Sequence, residues 1–124
     1  MILYMYMLNL NSLMVGTMHP KVMIEFYEKV FGKKPDMTEG EWAGWQVGAT
    51  FFGVGHHSKM GGKSKDAGRV MFNLETKDVK EEFERIKGLG AEVIKEPYEM
   101  GPGWIATFSD PDGNYFQLMT PWEN

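Results

Sequence analysis

Apolar residues fall into two spacings along this chain, and each spacing occurs in both halves. From Ile2 to Gly16 the run is rich in Leu, Met, Tyr and Val, with polar residues at 9, 11 and 12. This predicts a first strand centred near Ser12. Met18, His19 and Pro20 break the run. The stretch PKVMIEFYEKVFG then places Met23, Phe26, Tyr27, Val30 and Phe31 at three- and four-residue spacing, with Pro at the start and Gly32 at the end. That is the signature of an amphipathic helix. In EWAGWQVGATFFGVG, residues 41–55, two apolar runs flank Gly48 and Ala49 as in a tight hairpin. The first half therefore reads as a strand, a helix, then two or three strands.

Residues 56–69, HHSKMGGKSKDAGR, are polar and aperiodic and predict a linker or mobile loop. After them the order begins again. RVMFNLET is a strand, and DVKEEFERIKGLG aligns Val79, Phe83 and Ile86 on one helical face before Gly88 and Gly90 end it. AEVIKEP is a short strand. GWIATFSDPDGNYFQLMTP is a hairpin turning at Asp110-Pro111-Asp112-Gly113. Glu25-Phe26 recurs as Glu82-Phe83 at an offset of 57, and Gly44-Trp45 as Gly103-Trp104 at an offset of 59. Such a period predicts a duplicated βαβββ unit, because neither copy could bury its sheet alone. Trp45 and Trp104 would then be equivalent positions, suited to core packing or a module interface. The organisation expected is a single domain over 1–124, with module one at about 8–55, the linker at 56–69 and module two at 70–122.

Composition narrows the function classes. The chain has no cysteine, which removes disulfides, thiolate catalysis and Cys-type metal sites. With 13 Lys and Arg against 17 Asp and Glu the net charge is -4, so no basic field exists to attract nucleic acid. The apolar N-terminus is interrupted by Asn9, Asn11 and Ser12, lacks a preceding cation, and is too short to span a bilayer. No membrane partner is expected, and a cytoplasmic address is compatible. Met1, Met5, Met7 and Met14 leave the start residue open.

Two segments, FYEKVFG at 26–32 and SDPDGNYFQLMTP at 109–121, resemble the vicinal oxygen chelate superfamily of glyoxalases, bleomycin resistance proteins and extradiol dioxygenases. The resemblance implies an α+β fold in which two βαβββ modules form a half-open mixed β-sheet barrel around a ligand cavity, commonly in a homodimer. In many members His and Glu on the first and last strands of each module hold a divalent metal, which polarises two neighbouring substrate oxygens.

Carried over position by position, the resemblance points to few such ligands here. The first-strand position lies about seven residues before the turn that opens the helix. Counting back from His19 gives Ser12, and from Asp78 gives Met71, with Arg69 and Asn73 nearby. The last strand of the first module offers Phe52 or Gly53, and that of the second offers Gln117. Hydroxyl, thioether and one neutral amide do not make a site for a hard dication. No cofactor is therefore expected, and a divalent metal is disfavoured. Alternation along the C-terminal strand puts Tyr115, Gln117 and Met119 on one face, as a polar and aromatic lining. Asn73, a lone amide in an apolar strand, is a second pocket candidate.

Other candidates have simpler roles. His56 and His57 are adjacent and so point apart; a surface loop suits them, with a role as pocket lid or proton donor the alternative. His19 suits a turn or helix cap. Asp110 and Asp112 are explained by their turn. Gly61-Gly62-Lys63-Ser64 lacks the preceding strand of a phosphate loop. Trp42, Trp45, Trp104 and Trp122 could stack on a flat ligand, although packing explains most of them.

The expectation is a protein that holds a small organic molecule without metal, as the family's resistance proteins do. Gln117, Asn73, Ser12, Tyr115, Met71, Phe52 and His57 are its ligand-binding candidates. The alternative is a divalent-metal-dependent lyase, epimerase or dioxygenase using ligands such as His19, His56 or a Glu. A third reading is a module whose cavity has filled in and which acts only through its dimer surface.

Overall fold

A computed structural model describes residues 8 and 10–121. The chain divides into two compact units after Gly61, inside the aperiodic stretch. The first contains β1 (Ser12–Thr17), α1 (Pro20–Phe31), β2 (Met37–Glu39), β3 (Trp42–Val47) and β4 (Thr50–His56). The second contains β5 (Phe72–Glu75), α2 (Val79–Gly88), β6 (Glu92–Met100), β7 (Gly103–Ser109) and β8 (Tyr115–Met119). Each builds one four-stranded sheet, in the orders β1-β4-β3-β2 and β5-β8-β7-β6. The first strand of each runs parallel to the last, and every other pair is antiparallel. This is a duplicated βαβββ architecture of α+β class, with neither sheet closed on itself.

The two helices enter by the same device. Thr17 Oγ1 accepts the His19 N–H at 2.9 Å before α1, and Thr76 Oγ1 accepts the Asp78 N–H at 3.1 Å before α2. These turns satisfy backbone donors that a helix start otherwise leaves orphaned. Buried positions then recur at identical spacing, Met23, Tyr27 and Val30 in α1 against Val79, Phe83 and Ile86 in α2. Each helix covers one face of its own sheet. In the first unit Tyr27 meets Phe52 with ring centroids 4.9 Å apart, and Phe31 meets Trp45 at 5.4 Å. In the second, Phe83 stacks on Phe108 at 5.1 Å, and Phe108 on Phe116 at 5.7 Å. Burying rings of this size dominates the stability of so small a sheet-helix layer.

Several sequence expectations shift in detail. β1 begins at Ser12 instead of being centred there, because strand length is set by the partner: β4 pairs with residues 12–17 only, and Leu8 and Leu10 are exposed. The rest of the expected run, residues 2–7 and 9, lies outside the described residues. α2 includes Gly88 as its last residue, and only Gly90 takes the left-handed conformation, with φ 93°. β6 is longer than the expected AEVIKEP strand and runs through Pro97, which an edge strand with shifted register tolerates. The stretch 56–69 is partly anchored: the Ser64 N–H donates to Asp112 O at 2.8 Å, and the Tyr115 N–H to Ala67 O at 3.3 Å. Among the described residues no helix is long and apolar enough to cross a membrane.

The pairing of Trp45 with Trp104 does not hold. Trp45 stands opposite Phe52, itself beside Leu13, and the residue with the same neighbours in the second unit is Phe108, opposite Phe116 and Phe72. Trp45 is fully buried and donates its indole N–H to Lys33 O at 3.0 Å. Trp104 lies at the start of β7, half-buried, with the Lys80 ammonium 3.8 Å above its ring. The GW dipeptide match came from similar composition, not from equivalent register.

Candidate functional site

Each sheet has one face packed on its helix and one face free of it. Because side chains alternate along a strand, register fixes which residues share the helix-free face. In the first unit these are Ser12, Met14 and Gly16 on β1, Phe51, Gly53 and Gly55 on β4, and Trp42, Gly44 and Gln46 on β3. In the second they are Asn73 and Glu75 on β5, Tyr115, Gln117 and Met119 on β8, and Ile105, Thr107 and Ser109 on β7.

In the second unit the central row is Asn73, Gln117, Thr107. The Gln117 amide donates to Thr107 Oγ1 at 3.1 Å, which fixes the side chain and leaves its carbonyl oxygen for a further donor. Asn73 is exposed beside it, and Tyr115 is half-buried on the same strand as Gln117. Tyr115, Gln117 and Met119 share this face. At the end of the same strands a cavity of about 330 Å³ opens among Met100, Gly103, Trp104, Ile105, Met119 and Thr120. Its volume is at the lower end of small-molecule sites.

The first unit has a different surface. Four glycines, Gly16, Gly44, Gly53 and Gly55, pave the face, and side chains lie over them. A Cβ at Gly53 would stand 2.9 Å from the Met14 sulfur, one at Gly55 would stand 2.7 Å from Trp42 Cδ1, and one at Gly44 would collide with the Phe51 ring. Here glycine is required by close approach of side chains to the backbone, not by an unusual φ. Trp42 stacks on Phe51 at 5.9 Å, and its indole N–H points at the Met14 sulfur, 3.2 Å away.

The other candidates distribute as follows. Phe52, predicted as a pocket residue, is on the helix side, 3% exposed and packed on Tyr27; the position equivalent to Gln117 is Gly53, since Gly53 pairs with Met14 as Gln117 pairs with Asn73. Ser12 lies at the exposed start of β1, opposite Phe51. Met71 is exposed and precedes β5. His57 extends past β4, its backbone N–H bonded to Thr17 O at 2.9 Å and its Nδ1 accepting the Lys59 N–H at 3.2 Å. His56 is directed toward Glu41, with 3.9 Å between Nδ1 and Oε2. His19 is the N-cap of α1 without a side-chain cap bond. Trp122 lies outside the described residues.

Asp110 organises its turn. Its Oδ1 accepts the backbone N–H groups of Asp112 and Asn114, both at 2.9 Å, and the Asn114 amide bridges both its oxygens at 3.2 and 3.0 Å. Asp36 has a perturbed ionisation. The Gln46 N–H, then the Lys33 ammonium, hold its carboxyl below the ordinary range; the two contacts are 2.7 and 3.1 Å. Sequence reasoning named Trp42 as one of four residues able to stack on a flat ligand but missed Met14 and the glycine track, although Gly53 and Gly55, two residues apart on one strand, share a bare sheet face.

The donor set does not fit a hard dication. The paired first- and last-strand positions are Met14 with Gly53 and Asn73 with Gln117. That supplies a thioether, no side chain and two neutral amides. Among the described residues no group of three or more His, Cys, Asp or Glu could hold a metal ion. Zn and Mg sites require three or four converging donors, most of them anionic or imidazole.

A twice-repeated βαβββ sheet with its helix on one face defines an α+β class that leaves the other sheet face open to its own side chains. The profile of the Glyoxalase-like domain family matches residues 12–119, and the chain belongs to this family, within the vicinal oxygen chelate superfamily. Solved structures agree in fold. A hypothetical protein from S. aureus superimposes with a TM-score of 0.75 at 19% identity, over 97% of this chain and 99% of that one. A glyoxalase/bleomycin resistance protein/dioxygenase from Nocardioides gives 0.76 at 14%, over 96% and 87%. A glyoxalase/bleomycin resistance protein/dioxygenase family enzyme from Burkholderia phytofirmans PsJN gives 0.73 at 23%, over 91% and 98%. No curated protein sequence matches the chain.

Proposed function

We propose that this protein binds a small organic molecule on the helix-free face of its second sheet, without a divalent metal. The row Asn73, Gln117, Thr107 carries the reading. Where the family commonly places metal-binding side chains, this chain has neutral hydrogen-bonding groups, one of them already held in place by Thr107. Such groups orient a ligand but do not activate one, whereas Met119 and Ile105 supply apolar contact beside them. The ligand is accordingly a partly apolar molecule with neutral donors and acceptors. The superfamily includes resistance proteins, and binding without turnover is the function that the residues support best.

A thermal-shift screen of uncharged aromatic and heterocyclic compounds in chelator-containing buffer tests the reading. A binder at a hundred times its Kd stabilises by about 2.7 kcal/mol. Hits should lose most of that shift in Gln117→Ala and Asn73→Ala. A shift that appears only when a dication is added would favour the metal-dependent enzyme, and a screen without hits would favour a module acting through its surface alone.

A further inference from the structure

The thioethers that disqualify this protein as a holder of hard dications suit it to a soft one. On the first sheet Gly16 and Gly55 are register partners, and strands pair about 5 Å apart. Two loop residues lean over Gly16: a Cβ placed there would stand 3.0 Å from His57 Cβ, 3.5 Å from His57 Cγ and 3.5 Å from Met60 Cγ. Over Gly55, a Cβ would stand 2.9 Å from the Met14 methyl and 2.7 Å from Trp42 Cδ1. Met60 and His57 thus cover one glycine of this register pair, and Met14 and Trp42 cover the other.

The arrangement is partly preorganised. The backbone fixes the loop, with the His57 N–H bonded to Thr17 O at 2.9 Å and the Met60 N–H to His57 O at 3.1 Å. His57 Nδ1 accepts the Lys59 N–H at 3.2 Å, so its lone pair can be given to a metal at the cost of one long, exposed hydrogen bond. Met14 and Met60 are 58% and 41% exposed, and an unbranched side chain turns readily; a metal at the Met14 sulfur would replace its weak 3.2 Å contact with the Trp42 indole N–H.

We propose that Met14, Met60 and His57 form a binding site for a soft monovalent cation, Cu(I) or Ag(I), with Trp42 as its aromatic wall. Thioether ligands select Cu(I) over hard cations, and a neutral donor set suits a single positive charge better than a double one. This site lies within the first unit and does not depend on the organic-ligand reading of the second.

Titrating the full chain with Ag(I), and with Cu(I) under anaerobic conditions, tests it. One equivalent should bind, with quenching of tryptophan fluorescence, while Zn(II) and Mg(II) give no change. Met14→Leu, Met60→Leu and His57→Gln should each weaken binding about tenfold or more, and Trp42→Phe should remove most of the quench. Met37→Leu and Met100→Leu, at exposed methionines elsewhere, should leave the titration unaltered. Methionine methyl NMR of the unmodified protein should show Met14 and Met60 shifting together at the first equivalent, which keeps the test decisive should a variant misfold. Absence of binding, uptake spread over many methionine methyls, or wild-type affinity in Met14→Leu and Met60→Leu would overturn the proposal.

Discussion

In the first module the central row of the helix-free face reads Met14, Gly53, Gly44; in the second the same register positions read Asn73, Gln117, Thr107. One row further along the strands, Gly16, Gly55 and Trp42 stand against Glu75, Met119 and Ile105. On the helix side the correspondence is close in kind as well as in place: Leu13, Phe52 and Trp45 against Phe72, Phe116 and Phe108. Duplication has thus preserved the face that must exclude water and let the other diverge. Packing demands apolar volume at every helix-side position, whereas the open face is constrained only by what it contacts. One module has become a glycine-paved shelf for aromatic and sulfur groups, and the other a row of neutral amides and hydroxyls.

The largest effects should come where the modules agree. Trp45→Ala and Phe108→Ala each remove a fully buried ring and should each cost about 3–5 kcal/mol in chemical denaturation. A loss confined to one of them would break the equivalence drawn from register.

The next test exploits the difference. Gly44→Ala puts a methyl group into the Phe51 ring, so something must shift. Overpacking of this kind costs about 1–3 kcal/mol. At the equivalent position Thr107→Ala removes only the partner of Gln117, a net change of about 1 kcal/mol. Equal costs at the two positions, measured by thermal unfolding, would mean that the first face is not sealed by its aromatic groups.

The smallest effect concerns Asp36, which ties β3 to the turn after α1. Its carboxyl is held below the ordinary range, so it contributes stability that is present above the unfolded value and is lost as pH falls through the folded one. Asp36→Asn should flatten the stability-pH curve below about pH 4 and change little at neutral pH, because the group is exposed. An unchanged acid limb would show the interaction to be inert.

Most of the architecture was legible because it rests on periodicity. Met23, Tyr27 and Val30, Val79, Phe83 and Ile86, and the Asp110–Gly113 turn all follow local rules that a sequence displays directly. Register was not legible, since it depends on partners distant in sequence. Apolar patterning alone leaves Phe52 and Gly53 equal candidates for the open face and aligns Trp104 with Trp45 through a shared Gly-Trp dipeptide; register separates both pairs. One residue of slip sends a side chain to the other face. The three-residue β2 was hidden for the same reason, having no apolar alternation and existing only through its pairing with β3. The Met14, Trp42 and Phe51 cluster was also invisible, because residues far apart in the chain meet there over glycines that look individually like turn formers.

The claim on which the functional reading rests is that Asn73 and Gln117 orient an organic ligand and leave no divalent metal to be held. Metal analysis of protein purified without chelator, repeated on Gln117→Ala, addresses it directly. The expected result is no stoichiometric divalent ion in either protein and an unfolding midpoint that EDTA does not move. One Zn, Mg, Mn, Ni or Fe ion per chain, lost in the variant, would contradict it.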